Sequence, residues 1–162
     1  MKSNEELSFS SIALNELLQV VHSKGATFRF QATGFSMSPF IKDGDIITVS
    51  PLSDSCLDSG EIAAFIHPDT EKLIIHRLIS RKGGYYLAKG DSVSSTDGFI
   101  PRERILGCVT KIERNNRDIR FGFGLERLII SFLSRKRLLP LFFWGWRRIP
   151  FSIRRVIKCR LL

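Results

Sequence analysis

Between Thr27 and Thr33 apolar and polar residues alternate without a break. Phe28, Phe30 and Ala32 fall on one face of an extended chain, and Thr27, Arg29, Gln31 and Thr33 on the other. A period of two fits a half-buried strand and is incompatible with a helix. This strand runs directly into Gly34-Phe35-Ser36-Met37-Ser38-Pro39. Gly34 permits a tight backbone and the close approach of another chain. Pro39 prevents a helix from starting across the turn. The expected result is a serine, Ser36, held at the end of a strand with its hydroxyl free.

The strand pattern recurs. Asp45 to Ser50, Glu61 to Ile66, Lys72 to Ser80, Tyr85 to Lys89 and Ile105 to Ile112 read as five further strands. Turn signals separate them at Gly44-Asp45, Pro51, His67-Pro68-Asp69, Lys82-Gly83-Gly84 and the polar loop Gly90 to Gly98. On the fourth strand Ile74, His76 and Leu78 point one way, and Ile75, Arg77 and Ile79 the other. Six short strands predict a mainly β body: a coiled antiparallel sheet, barrel-like in form. An apolar fraction of 43% is ample for its core.

Helical periodicity is confined to the two ends. Asn4 can cap a short amphipathic helix carrying Leu14, Leu17, Leu18 and Val21, which Lys24-Gly25 ends. Beyond Arg114, Phe121-Gly122-Phe123-Gly124 reads as a hinge. Leu125, Leu128, Ile129 and Phe132 then form a helical stripe that runs into Arg135-Lys136-Arg137. Pro140 breaks the pattern, Leu141 to Trp146 is aromatic-rich, and a last helix starts at Pro150. The chain therefore divides into an N-terminal helix (1–25), a β domain (26–113) and a basic, aromatic-rich helical tail (114–162).

Charge divides the same way. Residues 1–113 carry 12 basic and 14 acidic side chains, whereas residues 114–162 carry 13 and two, a net of +11. Such asymmetry suits a globular body with a tail that meets an anionic surface. Phe, Trp and Leu interleaved with Arg and Lys suit a lipid interface better than a nucleic acid. No secretory signal peptide and no uninterrupted run of about 18 apolar residues is evident. The peripheral contact would thus come from the tail. Cys56, Cys108 and Cys159 are odd in number and widely spaced, so neither a disulfide framework nor a metal site is expected, and no cofactor is implied.

A serine hydroxyl is a weak nucleophile until a neighbouring base takes its proton. His76 is the natural base, because a free imidazole titrates near ~6.5 and is largely neutral at neutral pH. A lysine begins near ~10.4 and would have to be pushed down several units. A carboxylate bonded to the imidazole would fix its tautomer. Asp91 and Asp97, in the polar loop, are the available acids.

In order along the chain stand Gly34 to Pro39, Gly44-Asp45, Gly60 to Phe65, Ile75-His76-Arg77, and Lys89-Gly90-Asp91 with Asp97 six residues on. This ordered set resembles the type I signal peptidases, in the Ser/His branch found in the endoplasmic reticulum, archaea and some bacteria. The likeness covers roughly Phe28 to Ile112. It implies a serine endopeptidase that cuts signal or leader peptides after small residues at a membrane. By position it makes Ser36 the nucleophile and His76 the general base. It favours Asp97 as the orienting acid, with Asp91 second. The Ser36 N–H would serve the oxyanion. The position two residues before the nucleophile, which in part of the family adds a hydroxyl donor, is Gly34 here.

The resemblance also implies that an extended substrate adds alongside Phe28 to Thr33, with Phe28, Phe30, Ala32, Gly34, Phe35, Met37 and Ile74 around it. It leaves room for a partner subunit. Two rival readings are a peptide-binding module of the same fold and a self-cleaving regulator resembling LexA-like repressors. Against the second stand a histidine at the base position and the absence of an Ala-Gly pair.

Overall fold

A computed structural model describes residues 16–18, 20, 21, 23–53, 57–119 and 126–135. Its body is an antiparallel sheet of eight strands: β1 (Phe28–Gln31), β2 (Ile46–Pro51), β3 (Ile62–Ile66), β4 (Leu73–Lys82), β5 (Tyr85–Lys89), β6 (Phe99–Pro101), β7 (Ile105–Arg114) and β8 (Arg117–Asp118). The order across the sheet is β1-β2-β7-β3-β4-β5-β6, with β8 paired to β7 off that path. The mainly β architecture agrees with the alternating pattern.

Closure into a barrel does not occur. The end strands β1 and β6 have four and three residues and do not pair with each other. Two strands also exceed the six expected. β6 is too short to show a period. β8 follows Asn115 and Asn116, whose φ of 51° and 57° make the left-handed turn that suits a two-residue hairpin.

The interior is built in two clusters. Ile47, Val49, Ile62, Ala64, Val109 and Ile112 form the first, with Leu18, Ala32, Met37 and Ile41 added from the flanking segments. Ala63, Phe65, Leu78, Tyr86, Ala88, Ile100 and Ile105 form most of the second. Strand β3 lies between β7 and β4 and is buried at every position, which explains its continuous apolar run. Strand β1, at the edge, keeps its alternation: Phe28 and Phe30 half-buried, Arg29 and Gln31 exposed.

Residues 16–18, 20, 21 and 23 are helical. Leu18 enters the first cluster, and the segment turns at Gly25 (φ 71°) with Ala26 N–H donating to Val21 O. The second helix, Glu126–Arg135, packs on β4. There the stripe read from the sequence faces outward. Leu128, Ile129 and Phe132 are exposed, whereas Ile130 and Ser131 are buried. Ile130 and Leu133 meet Phe40, and the Ser131 hydroxyl meets Ser59 Oγ at 3.1 Å. Among the described residues no helix is long and apolar enough to cross a membrane. Cys108 is buried and reduced. Asn4, Leu14, Cys56, Cys159, the Phe121–Leu125 segment and everything from Lys136 onward lie outside the described residues.

Candidate active site

Ser36 sits in a turn that its neighbours over-determine. Gly34 takes φ 93°, and its N–H donates to Asp43 Oδ1 at 2.8 Å. Ser38 N–H closes the turn onto Phe35 O, and Phe40 and Ile41 N–H both reach Met37 O. The Met37 side chain is 4% exposed and packs in the first cluster, so it anchors the turn from below. Asp45 holds the far end. Its carboxylate accepts from Lys42 N–H and from two nitrogens of Arg114, each at 2.7 Å, and Arg114 also donates to Phe40 O. Burial raises the Asp45 pKa, but the Arg114 and Lys42 hydrogen bonds and the charge of Arg114 outweigh it. The net result lies below the ordinary carboxylate value. The same partnership holds the Arg114 guanidinium above its ordinary value, against the opposing effect of burial.

His76 lies on β4 opposite Ala63 of β3, and the Phe65 ring stands edge-on to the imidazole. Only the small Ala63 side chain occupies the register position across from it. Asp97 is brought in beyond β5 by its own N–H, which donates to Ala88 O. The three side chains meet: His76 Nδ1 lies 2.7 Å from Asp97 Oδ2, and His76 Nε2 lies 2.9 Å from Ser36 Oγ. A carboxylate only accepts, so Nδ1–H donates to Asp97, Nε2 is left as acceptor, and the Ser36 hydroxyl donates to it. The imidazole and the Asp97 carboxylate are 10% and 13% exposed. The arrangement can therefore deprotonate a hydroxyl and stabilise the resulting imidazolium.

Asp91 is placed elsewhere. Its carboxylate, fully buried, accepts from Arg77 Nε at 3.0 Å and from Arg77 Nη2 at 2.9 Å. Arg77 also donates to Gly60 O and lies over the Phe40 ring. The two aspartates of the loop thus have separate partners, one on the imidazole and one on the guanidinium of the next residue in β4.

Of the seven residues expected around a substrate, four share one cluster and Ile74 packs on the other. Phe28 and Phe30 pack on the first cluster, and Ala32 and Met37 are part of it. Ile74 packs on the second, because the alternation of β4 sends it to the His76 and Leu78 side. The Met37 and Ala32 side chains are buried. Phe35, by contrast, is 71% exposed beside Ser36, and Gly34 leaves open space where a Cβ would stand.

Gly90 and Ser92 escaped the sequence reading as site residues, although the Lys89-Gly90-Asp91 box contains the first and borders the second. A Cβ at Gly90 would lie 2.8 Å from Ser36 O and 2.9 Å from His76 Nε2. Only glycine fits where the loop crosses the Ser36–His76 pair. Ser92 bonds the Ser36 turn twice, through its N–H to Ser36 O and its hydroxyl to Phe35 O. Among the described residues no cluster of three or more His, Cys, Asp or Glu could hold a metal ion.

No curated protein matches the sequence. The family described as Peptidase S24-like matches residues 3–110, two thirds of the chain and every member of the Ser36–His76–Asp97 set. This serine peptidase family lies within the LexA and signal peptidase superfamily, and the chain belongs to it.

Proposed function

We propose that this protein is a serine endopeptidase of the signal peptidase kind, cutting leader or signal segments after small residues. The observation that carries the reading is the pair of short bonds on His76, to Ser36 on one nitrogen and Asp97 on the other. A histidine so placed stands where LexA-like repressors use a lysine base.

In this reading Ser36 Oγ attacks the scissile carbonyl while His76 Nε2 takes its proton. The imidazolium is stabilised by Asp97, and the Ser36 N–H receives the oxyanion. Collapse breaks the C–N bond, and Nε2 returns the proton to the leaving amine. A water then attacks the Ser36 ester, losing its proton to His76; the acyl–Oγ bond breaks, His76 returns the proton to Ser36 Oγ, and the product acid leaves. Strand β1 pairs with β2 alone among the described strands, so its outer edge suits an extended substrate as an added strand. The exposed Leu128, Ile129 and Phe132, in the segment that carries the basic excess, support contact with an anionic membrane surface.

The test is cleavage of a small-X-small peptide library in mild detergent. Wild type should cut and Ser36→Ala should not. Equal cutting by both proteins would sink the proposal. Self-cleavage is the second reading, favoured by the family match. Intact-mass analysis showing a Ser36-dependent split of the protein's own chain would select it.

A further inference from the structure

Phe40 closes the turn that carries Ser36 and belongs to neither large cluster. Its ring is buried, and the buried residue it packs with is Ile130, with Leu133 alongside. Ile130 and Leu133 are three residues apart and share a face of the helix Glu126–Arg135. That helix lies beyond residue 110, where the family match ends. Side chains from outside the matched residues therefore pack against the turn that carries the nucleophile.

Phe40 passes this contact to the centre by two routes. Its N–H donates to Met37 O at 3.0 Å, which ties the backbone beside Ser36 to the place of the ring. The ring also lies 5.1 Å from the Arg77 guanidinium, which holds Asp91. Asp91 stands between Gly90, which crosses the Ser36–His76 pair, and Ser92, which bonds Ser36 O. The same helix has a second foothold on β4. The Ser131 hydroxyl lies 3.1 Å from Ser59 Oγ and 3.5 Å from Leu78 O, two residues past His76. One helix thus touches both the turn of the nucleophile and the strand of the base.

We infer that the helix Glu126–Arg135 sets the separation of Ser36 and His76, with Ile130 as the positioning residue that acts through Phe40. The inference rests on the serine peptidase reading. Ile130→Ala leaves a cavity beside the Phe40 ring, and the turn relaxes toward it. Ser36 Oγ then moves relative to His76 Nε2, a shift that lowers the rate of attack and leaves the binding of substrate alone.

The experiment measures peptide cleavage and the labelling of Ser36 by a fluorophosphonate, all well below the melting temperature of each variant. In the labelling, Ser36 Oγ bonds to phosphorus, fluoride leaves, and His76 takes the hydroxyl proton. Ile130→Ala should lower kcat and the labelling rate by about tenfold or more, with KM unchanged. Ile130→Val should fall between it and wild type, and it decides on the same readouts should Ile130→Ala not fold. Phe40→Leu should also lose kcat, and the double variant should lose no more than the larger single loss, because both act on one path. Ile112→Ala, which removes the same atoms from the first cluster, should lower the melting temperature and keep kcat near wild type. Wild-type kcat in folded Ile130→Ala or Ile130→Val would overturn the inference while leaving the peptidase intact. Losses that simply add in the double variant, or an equal loss of kcat in Ile112→Ala, would overturn it too. A wild type that neither cuts nor takes the label would remove the peptidase reading and this inference with it.

Discussion

Two aspartates six residues apart do different work, and the difference is set by what each one reaches. Asp97 accepts from the imidazole, while Asp91 neutralises a guanidinium with no solvent around it. Removing one charge from a buried pair leaves the other uncompensated, at a cost of about 3–5 kcal/mol. Asp91→Asn should therefore lower the melting temperature sharply. Asp97→Asn should melt near wild type but lose about 10³–10⁴-fold in kcat, because an amide no longer enforces the Nδ1–H tautomer. Thermal melts and steady-state kinetics on the two variants separate the roles. This division was only half legible in the sequence. The order of boxes favoured Asp97, yet nothing in the spacing revealed that Arg77, the residue next to His76, would claim Asp91. Gly90 and Ser92 were hidden for a related reason. Their importance lies in contact with Ser36, across more than 50 residues of chain, and no periodicity reports such a contact.

At the scale of the element, the strands were legible wherever one face is buried and the other wet. Strand β1 is of that kind. β6 and β8 were not, since two or three residues do not establish a period. The helix Glu126–Arg135 offers the opposite lesson. Its apolar stripe was visible, but it is Ile130 and Ser131, beside the stripe, that meet the body. An apolar face as wide as Leu128, Ile129, Ile130, Phe132 and Leu133 does not disclose from its sequence which part of it docks. The exposed set supplies a prediction. Leu128→Ser with Phe132→Ser should change stability by less than about 1 kcal/mol, because both side chains already face water. The same pair should reduce co-sedimentation with phosphatidylserine-containing vesicles severalfold. Unchanged sedimentation would remove this helix from the membrane contact.

For the whole molecule, the joint between the Ser36 turn and the end of β7 makes one contribution to stability that acid removes. Asp45 has its pKa lowered in the fold, chiefly because the Arg114 and Lys42 bonds overcome its burial. A carboxylate depressed in the folded state contributes stability that is present above its unfolded pKa. That contribution is lost as pH falls through the folded value. Wild type should thus lose melting temperature below about pH 4 more steeply than Asp45→Asn, which is less stable at pH 7 but has no such carboxylate to protonate. Melting curves from pH 3 to 7 test the difference in slope.

The sheet order also bears on how the protein comes into being. The turn that carries Ser36 belongs to β1 and β2, and His76 and Asp97 belong with β3 to β5. Within the sheet only β7 lies between these halves, pairing β2 on one side and β3 on the other. Yet β7 begins at Ile105, after all three of those residues. A ribosome therefore delivers Ser36, His76 and Asp97 before it delivers the strand that joins their two parts of the sheet.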